Sequence, residues 1–329
     1  MRDVAEIAGV SLKTVSRVVN TEAGVRPATA ERVDAAIRQL GFRRNELARS
    51  LRHGRASATV GLVIGDVANP FYASIARAVE TRARSGGSVL ITGSSDEVGS
   101  QERELVGMLL TRRVDGLLVV PAAGDHGWLA EEVRRGVHIV FLDRPPHGLV
   151  ADSVVFDNVG GGRRAVRHLL AHGYQRIAII GDAPSVHTIR ERYDGYAAAL
   201  KEAGLPVDPR LARLSPHDAE GAARAVRELL TLPEPPDAVF ACNNRMTVGV
   251  LHALRAARAP LGLVGFDDFE LADLLGVTVV SGSAVEMGRR GADLLFARLG
   301  GDDRPARRIV LSPTLVARGS GERVSEEPA

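Results

Sequence analysis

Cysteine is almost absent. Cys242 is the only one in 329 residues, which excludes a disulfide framework and any cysteine-based metal site. It lies in an apolar run and reads as core. No run of 18 apolar residues occurs, so no transmembrane helix is expected. No secretory leader precedes the first helical pattern, which points to the cytoplasm. Charge of one sign is missing too: the net charge is +2, too small for a whole-molecule field that draws the chain onto nucleic acid. Enzyme motifs are lacking: there is no nucleophile elbow, no P-loop and no GxGxxG opening a helix. "NVGGGRR" (Asn158–Arg164) is glycine-rich and precedes a helical pattern. A phosphate cradle is one reading, but the Lys-Ser/Thr of a P-loop is missing, and flexibility at a crossover between lobes is the preferred one. No catalytic residue, cofactor or metal is expected. His168 and His172 have a metal-like spacing, yet without a third ligand they read as surface histidines. The tail after Arg318 is short and charged without a heptad, so no coiled-coil tetramer is expected.

What is present is ordinary in bulk and uneven in place. Hydrophobic residues make up 45% and charged residues 25%, as in a globular protein. The length suits a small module followed by one large two-lobed domain. Residues 1–55 carry eleven Arg or Lys against six Asp or Glu, so the remainder is slightly acidic. A basic head on a near-neutral body is the footprint of a DNA-binding module fused to something else. The run "VAEIAGVSLKTVSRVVN" (Val4–Asn20) fits that module. Ala5, Ile7 and Ala8 give the first helix a small apolar face, and Gly9 permits a sharp turn. Ser11 is placed to cap the second helix, whose Val15, Val18 and Val19 form a buried stripe. The opposite face shows Lys13, Thr14, Ser16, Arg17 and Asn20, which are phosphate donors and base-edge readers. That arrangement is a helix-turn-helix. A third helix starts near Pro27, turns Val33, Ala36, Ile37 and Leu40 inward, and stops at Gly41. "RRNELARSLRHGRA" (Arg43–Ala56) is basic and too short to be helical alone; DNA is the obvious partner that would order it.

From Thr59 the rhythm becomes strand and helix in alternation. Strands are expected at 59–66, 88–95, 115–122, 137–144 and 154–158, then at 176–182, 237–243 and 261–267. Helices are expected at 74–86, at 100–114 with Ser100 as N-cap, and at 128–136. Further helices are expected at 160–172, 189–203, 219–232 and 246–257. Val/Ile/Leu runs separated by amphipathic helices mean parallel sheets covered on both faces. Two such blocks in series mean two doubly wound lobes. Ligands of such sheets bind beyond the carboxyl ends of the strands, so a cleft between the lobes is expected.

With "VAEIAGVSLKTVSRVVN" in front, "NELARSLR", "ANPFYASIARAVE", "RRVDGLLVVP", "FLDR", "ERYDGYAAALKEAGLPVD", "FACNNRMTVGVLHAL" and "VGFDDFELADLL" follow in order. In this order the chain resembles the lactose-repressor/galactose-repressor (LacI/GalR) family of bacterial transcription regulators over nearly its whole length. The fold class implied is α/β. An all-α helix-turn-helix headpiece (1–44) and a hinge helix (45–57) precede a two-lobed, periplasmic-binding-protein-like domain (58–323) of doubly wound parallel sheets. Lobe one takes about 58–157 and 282–309, lobe two about 158–281 and 310–323, and 324–329 is a tail.

The resemblance also implies roles. Leu12, Lys13 and Arg17 would face base edges, Arg and Lys being suited to guanine O6 and N7. Thr14, Ser16 and Asn20 would contact the backbone. Asn45, Ala48, Arg49 and Leu51 match the hinge helix that enters the minor groove, with Leu51 as the wedge that kinks the duplex; a core leucine of a short helix is the plainer alternative. A wedge works in pairs, so a homodimer on a pseudo-palindromic operator is implied. For the effector, Asp66, Asn69, Phe71, Tyr72, Asp143 and Arg144 are implied from lobe one, and Thr188, Arg192, Asn243 and Asp267 from lobe two. His187 and His217 are rim candidates. Carboxylates that accept, Arg and Asn that donate, and an aromatic face suit a sugar, a nucleoside or a related polyhydroxylated molecule; Asp143 and Asp267 could instead cap loops. The function implied is a sequence-specific regulator, a repressor, controlled by a small molecule between two lobes.

The chain also departs from the family. It starts two or three residues late without the usual Thr cap, so either the N-terminus is truncated or Asp3 caps helix one. Arg26-Pro27 replaces a Ser-capped helix start. Asn244 stands for an Asp, Pro216 for an aromatic common in sugar binders, and Gly282-Ser283 for Gln-Pro at a crossover. The stretch before 261–267 is shortened. A free-standing transport protein would carry a secretory leader and no basic head, and an enzyme would need a motif that is missing.

Overall fold

A computed structural model describes residues 1–19, 24–42 and 58–323 and divides the chain into two compact units, residues 1–57 and 58–329. The first unit holds α1 (Arg2–Ala8), α2 (Leu12–Val19) and α3 (Pro27–Leu40). Gly9 adopts φ 62° between α1 and α2, the left-handed turn glycine makes at little cost. The Ser11 hydroxyl accepts from Thr14 N at 3.1 Å and so caps α2. No side chain caps α1; Met1 takes that position and Asp3 lies inside the first turn. Pro27 opens α3 behind an uncapped Arg26.

The core of this unit is Val4, Ala8, Val15, Val33 and Ala36, which corrects two sequence expectations. Val4 and Ala8, four apart, face inward together and turn Ile7 out, 46% exposed. Leu40 is also exposed. At Gly41 the chain turns left-handed and Phe42 N donates back to Ile37 O. Phe42 therefore packs against the core where Leu40 was expected, as in a helix end closed by glycine. The hinge and tail residues lie outside the described residues.

The second unit has two six-stranded sheets. Its strands are β1 (Thr59–Ile64), β2 (Val89–Ser94), β3 (Gly116–Val119), β4 (His138–Asp143), β5 (Asp152–Phe156), β6 (Ile177–Gly181), β7 (Ala212–Leu214), β8 (Ala238–Ala241), β9 (Gly262–Phe266), β10 (Thr278–Ser281), β11 (Arg308–Leu311) and β12 (Thr314–Val316). Its α-helices are α4 (Pro70–Ser85), α5 (Gly99–Thr111), α6 (Ala130–Arg134), α7 (Asn158–Ala171), α8 (His187–Glu202), α9 (Ala219–Leu230), α10 (Asn244–Ala257) and α11 (Ala284–Leu299). Lobe one orders its strands β11-β5-β4-β3-β1-β2 and lobe two β12-β10-β9-β8-β6-β7. Every pairing is parallel except β10 with β12. β11 pairs with β5 through Leu311. The last segment of lobe one therefore ends near 311, not 309.

Several local expectations are revised by packing. The helix expected from Ser74 begins at Pro70, capped by Asn69, whose side chain accepts from Phe71 N at 3.1 Å. Ser100 is not a cap, because α5 starts at Gly99 with Val98 before it and no side-chain hydrogen bond there. α11 was not read from the sequence. Gly288 and Gly291 weaken its helical pattern, yet they let it approach closely: a Cβ on Gly288 would stand 2.6 Å from Ile75 O, and one on Gly291 2.4 Å from a Leu142 methyl. Gly282 likewise lies against the Phe156 ring.

"NVGGGRR" is neither a cradle nor a flexible crossover. Asp157 caps α7 through Gly160 N at 2.8 Å, and the following glycines let α7 pack tightly on α8. A Cβ on Gly162 would sit 2.4 Å from Arg192 O, and one on Gly195 2.2 Å from Val159 O. Both obstacles are backbone, so neither helix can yield locally. Gly162→Ala is expected to destabilise the second unit by about 2 kcal/mol or more, because overpacking outweighs the ~1 kcal/mol that alanine gains in helix propensity. Urea denaturation checks this; an unchanged or raised midpoint would contradict it.

Candidate functional site

A cavity of about 390 Å³ opens between the carboxyl ends of the two sheets. The structure brings all ten sequence-derived effector candidates to its wall: Asp66, Asn69, Phe71, Tyr72, Asp143 and Arg144 from lobe one, and Thr188, Arg192, Asn243 and Asp267 from lobe two. His217 lines it as well, while His187 and Pro216 do not. The sequence reading missed Asp96, Glu97, Asp182 and Arg245, which also line it. Asp96, Glu97 and Asp182 follow β2 and β6 directly, where ligands of parallel sheets bind, and that rule would have found them.

In lobe one the dominant group is Arg144, buried at the end of β4. Its guanidinium meets both oxygens of Glu97, donates to Pro121 O at 3.0 Å and to the Tyr72 hydroxyl at 3.1 Å. Tyr72 donates to Glu97 Oε1 at 3.1 Å. Burial pushes the Glu97 carboxyl upward, but the Arg144 charge and the hydrogen bonds from Arg144 and Tyr72 hold it below its ordinary value. Phe71 offers an aromatic wall, its ring 5.3 Å from Tyr72 and 6.2 Å from Phe156.

In lobe two the dominant group is Arg192 on α8, 3% exposed. Nε donates to Asn158 Oδ1 at 2.9 Å, and Nη1 donates to Cys242 O and stands 3.4 Å from Asp267 Oδ2. The guanidinium lies over the Phe266 ring at 3.6 Å. Cys242 is buried core, as expected. Asn243 caps α10 through Met246 N at 2.9 Å and donates to Asp182 at 2.7 Å. Thr188 is buried on α8.

Asp143 and Asp267 occupy matching places at the ends of β4 and β9, with φ of 67° and 65°. Left-handed backbone is uncommon outside glycine and favours Asp and Asn among the rest. Each lobe thus turns one buried aspartate into the cleft. Asp267 Oδ1 is buried with no hydrogen-bond partner, an acceptor lacking the donor a buried oxygen requires. The lobes also touch directly. Asn244 Nδ2 donates to Asn69 Oδ1 at 2.9 Å, and Arg245 pairs with Asp66. Asn244, the departure from a usual Asp, thereby spans the cleft without adding charge.

Asp143 is raised from 3.8 to about 6, first by burial and then by Asp267 and Glu97, against the opposing pull of Arg144 and Arg192. A carboxyl raised in the fold favours the folded state when protonated; that contribution is complete below about pH 4 and fades as pH rises through 6. Asp267 and Asp182 are raised also, both chiefly by burial. The ligand-free second unit is therefore expected to gain about 1 kcal/mol from Asp143 on acidification from about pH 7.5 to 5. Asp143→Asn should flatten most of that rise in melting temperature, and an equal slope in both proteins would contradict it.

The first unit presents a second surface. On α2, Leu12 is 49% exposed, Lys13 is exposed, and Thr14, Ser16 and Arg17 are half-buried. The Thr14 hydroxyl shares a hydrogen bond with Ser11 at 2.9 Å, and the Arg17 guanidinium lies beside Gly24. Asn20, Asn45, Ala48, Arg49 and Leu51 lie outside the described residues. Among the described residues no group of three or more His, Cys, Asp or Glu could hold a metal. His168 pairs instead with Glu322 at 2.7 Å, so it is a partly buried structural residue.

Comparison with known proteins adds the following. The family described as bacterial regulatory proteins, lacI family, matches residues 1–45, and a periplasmic binding protein-like domain matches residues 166–321. The ribose operon repressor of Escherichia coli (strain K12) is 33% identical over 328 residues, covering 97% of this chain and 99% of its own. The structure of the transcriptional regulator CelR in complex with cellobiose is 33% identical, covers 97% of this chain and 98% of that one, and superposes with a TM-score of 0.73. The lac repressor dimer bound to operator and the anti-inducer ONPF is 27% identical, covers 98% of each chain, and superposes with a TM-score of 0.85.

Proposed function

The chain belongs to the LacI family of bacterial regulatory proteins, and on that premise we propose that it is a transcriptional repressor whose hold on operator DNA is set by a small polyhydroxylated molecule in the cleft. The headpiece binds sequence-specifically, with α2 in the major groove. Lys13 and Arg17 read base edges with Leu12 beside them, while Thr14, Ser16 and Asn20 set register on the phosphates. The protein acts in the cytoplasm, at the nucleoid, as a homodimer on a pseudo-palindromic site. No helix among the described residues is long and apolar enough to cross a membrane. It has no enzymatic role.

One observation carries the reading: a cavity whose wall comes from both lobes, with a buried carboxylate oxygen still lacking a donor. A ligand hydroxyl supplies that donor and ties the lobes in one relative orientation. A ligand shifts an equilibrium only by its differential affinity for the two states. Here the coupling is about 1–3 kcal/mol, a roughly 5- to 150-fold change in operator affinity. A relative that represses a ribose operon and one crystallised with cellobiose make sugars the first candidates, with nucleosides next. Gel-shift titration with and without each candidate tests this, and no ligand effect on operator affinity would count against allosteric control. Asn45, Ala48, Arg49 and Leu51 form the hinge contact, with Leu51 as a minor-groove wedge. Leu51→Ala is then expected to weaken specific binding by about 1–3 kcal/mol and nonspecific binding far less. Equal loss in both would refute the wedge.

A further inference from the structure

We propose that the cleft accepts an uncharged polyol and rejects its phosphorylated or carboxylated counterpart. The inference rests on the reading of the cleft as the effector site and narrows the class of ligand. The cavity wall holds six carboxylates but only three guanidiniums, and each guanidinium is already engaged. Arg144 is gripped by Glu97 through both of its terminal nitrogens. Arg245 is paired with Asp66. Arg192 serves Asp267, Asn158 and the Cys242 carbonyl.

Asp96 and Asp182 have no arginine partner, and Asp143 has only the 3.4 Å ion pair with Nε of Arg144, whose two terminal nitrogens Glu97 already holds. Asp182 takes a neutral amide from Asn243 at 2.7 Å, with the exposed His217 3.6 Å away. Of the buried polar atoms at the cleft without a hydrogen-bond partner, Asp267 Oδ1 on the wall and Asn244 Oδ1 beside it are acceptors, and the one donor, Arg144 Nε, faces Asp143 Oδ2 at 3.4 Å. The wall therefore carries twice as many carboxylates as guanidiniums and no guanidinium free of a carboxylate to receive an anion. A phosphate brought here is an acceptor facing acceptors and a negative charge facing an excess of carboxylates. Such repulsion is strong where the walls exclude water. The hydroxyls of a sugar or of a ribosyl group donate to those oxygens without adding charge. An anion-binding site would instead hold a guanidinium fork not already taken by a carboxylate.

The test is isothermal titration of the full chain with matched pairs: ribose and ribose 5-phosphate, glucose and glucose 6-phosphate, adenosine and AMP. At least one uncharged member is expected to bind, with its phosphorylated partner weaker by roughly 100-fold or more. Asp182→Asn, which removes one carboxylate at constant shape, should narrow that gap by roughly fivefold or more through gain of the phosphorylated member. A gap unmoved by this substitution would assign rejection to shape and overturn the electrostatic argument. A phosphorylated member that binds as tightly as its partner would overturn the proposal and leave the effector site standing, provided Arg192→Ala abolishes that binding. Binding that survives Arg192→Ala would instead count against the cleft as the effector site, and binding by no member of any pair would count against the polyol reading itself.

Discussion

Arg192→Ala should abolish the response to effector, with ligand affinity falling by about 100-fold or more, because this side chain joins the cleft wall to three buried acceptors. Removing it strands Asp267, the Asn158 amide oxygen and the Cys242 carbonyl inside lobe two. Breaking a buried charged pair from one side typically costs about 3–5 kcal/mol, since the surviving charge is left uncompensated. The variant should therefore also melt at lower temperature. The deficit should shrink below neutral pH, because Asp267, already raised chiefly by burial, would escape its unpaired charge by taking a proton. Arg192→Lys restores a charge but not the planar fork that serves three partners and stacks on Phe266. It should recover more stability than ligand affinity. Calorimetry of the three proteins with a bound sugar reads both effects. Ligand affinity within threefold of the parent in Arg192→Ala would contradict the role given to this residue.

The second large effect is expected at α2. Lys13→Ala and Arg17→Ala should each weaken operator binding by about 1–3 kcal/mol if the side chain reads a base edge, and should relax specificity at that base pair. A residue that only touches phosphate behaves differently: binding weakens evenly across sequences, and the slope of log affinity against log salt drops by about one. The net charge of +2 is too small for a general field to mask either pattern. Anisotropy titrations at several salt concentrations, on operator and on scrambled duplex, separate the two. Unchanged affinity for both duplexes in both variants would remove α2 from the groove.

Much of this architecture was legible because the chemistry is local. Gly9, Ser11, Pro27 and Gly41 mark turns and caps that depend on a few neighbouring atoms, and the structure keeps all four. The strands are continuous apolar runs, and their order along the chain is enough to expect two parallel sheets. Nine of the ten cleft candidates, taken from a family resemblance, come together because they follow strand ends or open helices, where doubly wound folds gather side chains; Arg192 reaches the cleft from the second turn of α8. What escaped depends on contacts made far along the chain. Ile7 and Leu40 are apolar at plausible helical positions, yet Val4 and Phe42 fill the available core. Gly162 and Gly288 are poor helix formers by propensity, and only the backbone of α8 and α4 beside them explains their smallness. The pairings of Arg144 with Glu97 and of Arg245 with Asp66 join residues remote in sequence, and nothing in periodicity announces them.

The central claim is that a ligand between the lobes changes how the headpiece holds DNA. The most direct test selects a pseudo-palindromic duplex from random DNA with the full chain. Its dissociation constant is then measured at fixed salt, with and without a saturating sugar that calorimetry shows to bind. The account predicts a shift of about fivefold or more, lost in Arg192→Ala. A sugar that binds the parent protein but leaves the operator constant unmoved, or a shift that persists in Arg192→Ala, would contradict it.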